Sequence, residues 1–225
     1  MARAALQERR RARTPASRAS RGRPRSADKA RAILKAASDL FLSTGFDRTS
    51  MDEVARAAQV SKQTVYAHFT NKEKLFRSVI AHKVSEYFTD DPLALVDARS
   101  LSETLNRIGR QYVRLILSDE AVAMFRLLVG HAETHPKMVR LFYEEGPERL
   151  GAAIEHCLAD SVARGTLGTH DVGRMRRLFE TLLRGELYVT RTLGLLGPVG
   201  DADIDAHVAT AVADFLKLFA TGAAN

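Results

Sequence analysis

Residues 49–75 read Thr-Ser-Met-Asp-Glu-Val-Ala-Arg-Ala-Ala-Gln-Val-Ser-Lys-Gln-Thr-Val-Tyr-Ala-His-Phe-Thr-Asn-Lys-Glu-Lys-Leu, a stretch that predicts two short helices joined by a tight turn and followed at once by a third. Ser50, with Glu53 three residues later, has the spacing of a capping box, and Val54, Ala55 and Ala58 continue as one apolar edge. Gln59-Val60 forms the turn, where a residue other than glycine needs a negative φ or a tolerated left-handed site. Ser61 is the expected cap of the second helix. Val65 and Phe69 recur at i,i+4 and face inward, which leaves Lys62, Gln63, Thr64 and Tyr66 outward near its N-terminal half. Thr70 and Glu73 give a second capping box, so the third helix is expected to start near Asn71 with Lys72 in its first turn. A cation there opposes the helix dipole, so Lys72 is either a solvated side chain or the partner of an external anion such as a DNA phosphate. A helix pair of this build, with polar side chains at the start of its second member, is the arrangement of a helix-turn-helix that reads DNA.

Working outward, a helix is expected from about Ala27 to Thr44 with Ser26 as its cap and Ile33, Ala37, Leu40 and Phe41 on one face. Gly45 should end it in a left-handed turn that folds Phe46 back on Phe41. The helix beginning near Asn71 carries Leu75/Phe76, Val79/Ile80, Val84 and Tyr87/Phe88, and is long enough to leave the first unit and enter the next. Asp90-Asp91-Pro92 breaks it. Helical stripes then resume at Leu101, Leu105, Ile108, Tyr112 and Leu115, and again at Val122, Phe125, Leu128 and Ala132. Pro136 opens another helix, Gly146-Pro147 is expected to kink or split it, and two more are expected over about 171–195 and 203–221. No segment has the period of a strand, so the fold class is all-α.

Charge divides the chain. Residues 1–31 hold eleven Lys and Arg against Glu8 and Asp28, a net of +9, so the whole-chain +7 leaves −2 for residues 32–225. The first 25 residues, basic and poor in large apolar side chains, are expected to be a disordered tail. Within it Arg21-Gly22-Arg23-Pro24 is similar to the core of an AT-hook, an extended strip that enters a narrow A·T-rich minor groove. The alternative is a solvated charge run that raises local DNA affinity without reading sequence. Either way Arg21, Arg23 and Arg25 are candidate DNA contacts.

At 225 residues, 45% of them hydrophobic and 27% charged, the chain can bury a sizeable core in one or two domains. No apolar run approaches the roughly 18 residues that span a bilayer, and the N-terminus has no signal-type apolar segment, so a cytoplasmic protein is expected. The single cysteine, Cys157, excludes an intrachain disulfide and any multi-cysteine metal site, and its helical spacing from Ile154 and Ser161 points to a buried thiol. Catalysis finds no support. His131 and His135 are the one histidine pair at i,i+4, but Pro136 puts His135 at a helix end and no carboxylate lies between them as in a metalloprotease helix. A phosphate loop, a nucleophile elbow and a carboxylate pair in context are all missing from the sequence, so no cofactor, metal or catalytic residue is expected.

The segment from Arg25 to Val84 resembles the N-terminal domain of the TetR family of bacterial transcriptional regulators. The resemblance is carried by the helix from Ala30 to Thr44 with its Gly45-Phe46 exit, Thr49-Ser50, Val54-Ala55, Ala58, Val60-Ser61, Val65-Tyr66-Ala67-His68-Phe69 and Lys72-Glu73-Lys74-Leu75. Many members have Gly-Val at the turn where this chain has Gln59-Val60. The resemblance implies DNA contacts from Thr49, Ser50, Ser61, Lys62, Gln63, Thr64, Tyr66, His68 and Lys72. The region from Phe142 to Leu195 is similar to the C-terminal domain of the AefR-like branch, which implies a helical domain holding a ligand cavity and a dimer contact made by the last two helices.

These readings give a basic tail over 1–25, a helix-turn-helix domain over 26–89 and a regulatory and dimerisation domain over 90–225. Wide apolar faces on the last two helices suggest a dimer contact at Leu183, Leu187, Val208, Val212 and Phe215. The candidate ligand-binding residues are Phe88, Tyr112, Phe125, Leu128, His131 and Phe142, with Tyr112 and His131 able to orient a mostly apolar molecule. The expected partners are double-stranded DNA, a second copy of the chain and a small-molecule effector, with no membrane. The expected function is a repressor released from a pseudo-palindromic operator; the alternative is an architectural protein that coats DNA through its tail without sequence choice.

Overall fold

In the computed structural model, which describes residues 23–88 and 100–221, the chain is built from α-helices packed in two connected bodies. Helix α1 spans Arg23–Thr44, α2 Met51–Ala57, α3 Lys62–His68 and α4 Lys72–Tyr87. The second body contains α5 (Leu101–Leu117), α6 (Asp119–Gly130), α7 (Pro136–Tyr143), α8 (Arg149–Ala163), α9 (Val172–Leu193) and α10 (Asp201–Phe219). No strand forms among the described residues, and the one sheet-like contact is an isolated antiparallel bridge between Leu167 and Ala220. Arg21 and Gly22 of the AT-hook-like strip, and the Asp90-Asp91-Pro92 break, lie outside the described residues.

Helix α1 starts earlier than its sequence suggests, so Ser26 sits inside it and is not its cap. Pro24 falls in the first turn, where backbone N–H groups have no intrahelical partner and a proline removes nothing. At the other end Gly45 takes φ +88°, and the Phe46 ring lies 5.6 Å from that of Phe41, as the sequence predicts. Phe76 of α4 meets both rings edge-on at 5.3 Å, so three aromatic side chains tie α1, its exit turn and α4 together.

Glu144–Glu148 forms a π-helical turn that joins α7 to α8 without a break. The expected kink at Gly146-Pro147 is therefore absorbed within a continuous helical run. Pro147 has no N–H to donate, and the wider π turn accommodates the lost ladder bond. A true kink occurs instead in α9, at Gly185, whose φ +48° and ψ −158° are open only to glycine. A Cβ there would fall 2.7 Å from the His207 ring, and His207 Nε2 donates to the Leu183 carbonyl at 2.8 Å beside the break.

Two apolar cores result. One gathers Ile33, Phe41, Val54, Val65, Leu75 and Phe76 from α1–α4 and continues directly into Met124, Leu128, Met138 and Leu141 of α6 and α7. The other joins Leu105, Ile108 and Tyr112 of α5 to Ile154 of α8, Phe179 of α9 and Phe215 of α10, and includes Val84 and Phe88 from the end of α4. Cys157 is buried in it, and burial pushes its thiol pKa up, which keeps it protonated and unreactive. Arg191, only 8% exposed, reaches Asp119 with Nη2, while Arg126 donates to the Arg191 and Thr192 carbonyls. These arginines fasten the end of α9 to α6.

The second core corrects the expected dimer contact. Leu183, Val208 and Phe215 are 0% exposed and Val212 is 1% exposed within one chain. Leu187 is half-buried against the same core. The apolar stripes of the last two helices that hold these residues are consumed by packing on α5 and α8, while the opposite faces of both helices stay exposed. Phe215→Ala should consequently lower the stability of the chain itself by about 3–5 kcal/mol, the usual cost of emptying a buried aromatic site. Urea unfolding at several protein concentrations would separate this from an effect on association.

Candidate nucleic-acid interface and ligand cavity

The helix-turn-helix is assembled from local signals. Ser50 Oγ accepts from Glu53 N while Glu53 Oε2 accepts from Ser50 N at 2.8 Å, the complete capping box. That backbone hydrogen bond to Ser50 is the main reason the Glu53 carboxyl is held below its ordinary pKa. Gln59 adopts φ +55°, the left-handed alternative, so this turn is built without the customary glycine. Ser61 Oγ then caps α3 by accepting from Thr64 N, and Val65, fully buried, anchors α3 on the core.

Burial on one side leaves Lys62, Gln63, Tyr66 and Ala67 exposed and Thr64 and His68 half-exposed. Lys62 Nζ is 2.9 Å from Asp52 on α2 and lies over the Tyr66 ring at 5.9 Å. Its hydrogen bond to Asp52 raises its pKa, so it is a permanent cation on this face. The Thr64 hydroxyl is shared with Ser61 Oγ at 2.9 Å. Ser50 and Ser61 are exposed, although their hydroxyls are engaged in capping.

Two candidates have other work. Thr49 is 2% exposed, and its hydroxyl donates to the Gly45 carbonyl at 2.8 Å, so it closes the α1–α2 connection from inside. Lys72 Nζ donates to the Phe46 and Asp47 carbonyls at 2.8 and 3.0 Å and sits 4.6 Å from the Phe46 ring centroid. The anion that offsets the unfavourable position of this lysine at a helix start is thus supplied by two carbonyl dipoles and an aromatic face of the chain itself. The helix cap is likewise Asn71, which accepts from Lys74 N, and not Thr70. Exposed Arg56 and Lys74, which the sequence reading passed over, are further cations on this body.

A cavity of about 810 Å³ opens between α1 and α4 on one side and α5, α6, α7 and the π turn on the other. Tyr112, Phe125, Leu128 and Phe142 line it as expected from the sequence, together with Arg184 and Tyr188 of α9. Phe125 and Tyr188 meet edge-on at 5.5 Å. Two expected lining residues lie elsewhere. Phe88 caps the end of α4 and is buried in the second core. His131 follows the last turn of α6, binds the Leu127 carbonyl through Nδ1, and faces a separate depression of about 300 Å³ shared with Gly45, Phe46 and His135. His135 pairs there with Asp47, and the two imidazole rings stand 5.5 Å apart. No group of three or more metal-ligating side chains occurs among the described residues.

Tyr112 is 2% exposed, and burial pushes its hydroxyl pKa up to about 12, so it stays a neutral donor. The same hydroxyl accepts from Arg184 Nε at 2.9 Å. Arg184 was not visible as a site residue because its position on an amphipathic helix matches a solvated arginine; only the kink at the following residue marks the place. Among the described residues no helix is long and apolar enough to cross a membrane.

Comparison with known proteins agrees with this geometry. Residues 33–79 match the bacterial regulatory protein family of the TetR type, and residues 103–221 match the AefR-like transcriptional repressor C-terminal domain. The DNA-binding transcriptional repressor TetR of Mycobacteroides abscessus is 32% identical over 198 residues, covering 82% of this chain and 90% of that protein. An uncharacterised HTH-type regulator of Bacillus subtilis, YdeS, is 47% identical over 134 residues, which cover 59% of this chain and 65% of that relative's length. Among solved structures, the flavonoid-responsive regulator FrrA superimposes with a TM-score of 0.67 at 32% identity, covering 87% of this chain and 99% of that one. The chain belongs to the TetR family of transcriptional regulators and carries a C-terminal domain of the AefR-like type.

Proposed function

We propose that this chain is a homodimeric repressor that leaves a pseudo-palindromic operator when a small, mostly apolar molecule enters the cavity between its two bodies. The observation that carries the proposal is that α4 serves both. Val79, Ile80, Lys83 and Val84 line the cavity, while Leu75 and Phe76 on the same helix pack in the core that holds α3. A ligand that favours a different seat for α4 moves the recognition helices relative to each other. A coupling of about 1–3 kcal/mol between ligand and DNA is typical of such linkage. Support for the ligand class comes from the aromatic and aliphatic lining and from the related FrrA, which is named for flavonoids, themselves largely aromatic molecules. A cytoplasmic location follows from the same reading.

Dimerisation belongs on surfaces that one chain leaves uncovered. On α9 and after it Val189, Leu193 and Leu195 are 53%, 68% and 76% exposed, and α10 shows Ala202, Ala206, Ala209 and Ala213 on its outer face. Small residues there permit close approach of a partner helix, and two recognition helices would then address half-sites about 34–36 Å apart or a multiple of that.

Selecting bound fragments from a random duplex library tests the proposal: a short pseudo-palindrome should emerge, whereas uniform coating of any duplex would refute sequence-specific regulation. On the selected site Gln63→Ala should cost about 1–3 kcal/mol with little change on random DNA, while Lys62→Ala should weaken both and reduce the salt slope by about one per monomer. Equal losses on both DNAs for Gln63→Ala would remove it from base readout. Val189→Arg or Ala209→Arg should give folded monomers by light scattering that no longer hold the operator, and dimers from both variants would place the interface elsewhere.

A further inference from the structure

The cations that line the cavity are not equivalent. Lys83 has Glu86 at 2.9 Å and Glu120 at 3.4 Å, Lys35 has Asp39 at 3.0 Å, and Arg31 has Asp28 at 2.5 Å. Among the described residues Arg184 has no hydrogen-bonded carboxylate. Its Nε donates to the Tyr112 hydroxyl, and its nearest acid is Glu180, at 3.8 Å from Nη2. Glu180 is itself claimed by Arg176 Nη1 at 3.0 Å, so it offers Arg184 only a distant share of its charge. Both Nη atoms of Arg184 make no hydrogen bond among the described residues. Tyr112, which accepts from Arg184, still has its own proton to donate.

The backbone gives a second and independent sign. The break in α9 falls at Gly185, directly after Arg184 and before Tyr188, and these two are the α9 residues that line the cavity. A glycine-only conformation in the middle of a helix costs free energy and is kept where the surroundings require it. Here it is held by the His207 ring seated in the space a Cβ would occupy. Leu115, Ile116 and Phe125 also line the cavity, and Phe125 meets Tyr188 edge-on.

We infer that Arg184 and Tyr112 form a head-group site inside the cavity, and that the effector is an organic anion: an apolar body carrying one ionised oxyacid group that accepts from the Arg184 guanidinium and the Tyr112 hydroxyl. This rests on the cavity being the effector site. A guanidinium with no hydrogen-bonded carboxylate among the described residues, in the wall of a mostly apolar chamber, favours an acid over its neutral isostere because charge-assisted hydrogen bonds strengthen as water is excluded. Arg184 is thereby a specificity-determining residue, while the apolar walls set affinity for the body.

N-phenyl-1-naphthylamine, an uncharged dye that fluoresces in apolar pockets, supplies the readout, with decanoate and decan-1-ol as competitors that share a body and differ in the head. The full-length protein should bind the dye, and decanoate should displace it at a concentration about tenfold lower than decan-1-ol. In Arg184→Met, where a part-exposed side chain is replaced by one of similar length, the dye should still bind and the two competitors should become equal within about twofold. Tyr112→Phe should lose a smaller part of the acid preference. An acid preference that persists in Arg184→Met, or its absence from the unmodified protein while the dye binds, would overturn the head-group site and leave the cavity standing. Failure of the dye and both competitors to bind would refute the cavity as an effector site and the head-group site with it.

Discussion

The rest of the structure depends on the apolar seam between α4 and the pair α6–α7. Phe76 and Ile80 on one side and Met124, Leu128, Met138 and Leu141 on the other are one buried cluster, so the helix-turn-helix has no core of its own that stops at its boundary. A body of α1–α4 alone would expose part of that cluster. The seam makes the position of the recognition helix a property of the second body, since close-packed interiors shift between discrete arrangements and do not deform smoothly.

Polar contacts decorate the seam and set its orientation. Arg77 on α4 places Nη1 2.7 Å from Glu145 and Nη2 2.6 Å from Glu144, both in the π turn that also contributes Gly146 and Pro147 to the cavity wall. Hydrogen bonds to these two carboxylates raise the Arg77 pKa. Glu73 with Lys137 and Asp47 with His135 add two more links across the same boundary. Exposed pairs of this sort contribute little energy each, but a guanidinium gripped by two acids fixes direction as well as distance. The wall of the cavity and the shaft that carries α3 are therefore joined through the Arg77 side chain as well as through apolar packing.

What could be read from the sequence follows the range of the forces involved. Caps and turns are local, so Ser50 with Glu53, Ser61, Gly45 with Phe46 and the Pro136 start were legible from a few residues. The outward set on α3 was legible because Val65 and Phe69 define its inner side. Errors came where a distant partner decides. Lys72 looked available until the carbonyls of Phe46 and Asp47, 26 and 25 residues away, were brought to it. Leu183, Val208, Val212 and Phe215 looked like an excess of apolar surface because nothing in a helical stripe says how many neighbours will cover it; α5 closes on α10 so tightly that a Cβ at Gly109 would fall 2.6 Å from Val208 Cγ1. Arg184 was illegible for the same reason, its meaning depending on Tyr112, 72 residues earlier.

The π turn at Glu144–Glu148 changes the phase of a long helical run. Upstream of it, Met138 and Leu141 point into the core shared with α1–α4; downstream, Leu150, Ile154 and Leu158 point into the core shared with α5, α9 and α10. In an unbroken α-helix successive residues advance by about 100°, and the wider turn takes up about one residue's worth of that rotation. The single surplus residue thus acts as a rotary offset between two gears on one shaft. Shortening the run by one position restores a uniform pitch yet leaves the two gears unable to mesh at once, so in this part of the chain length is as constrained as composition.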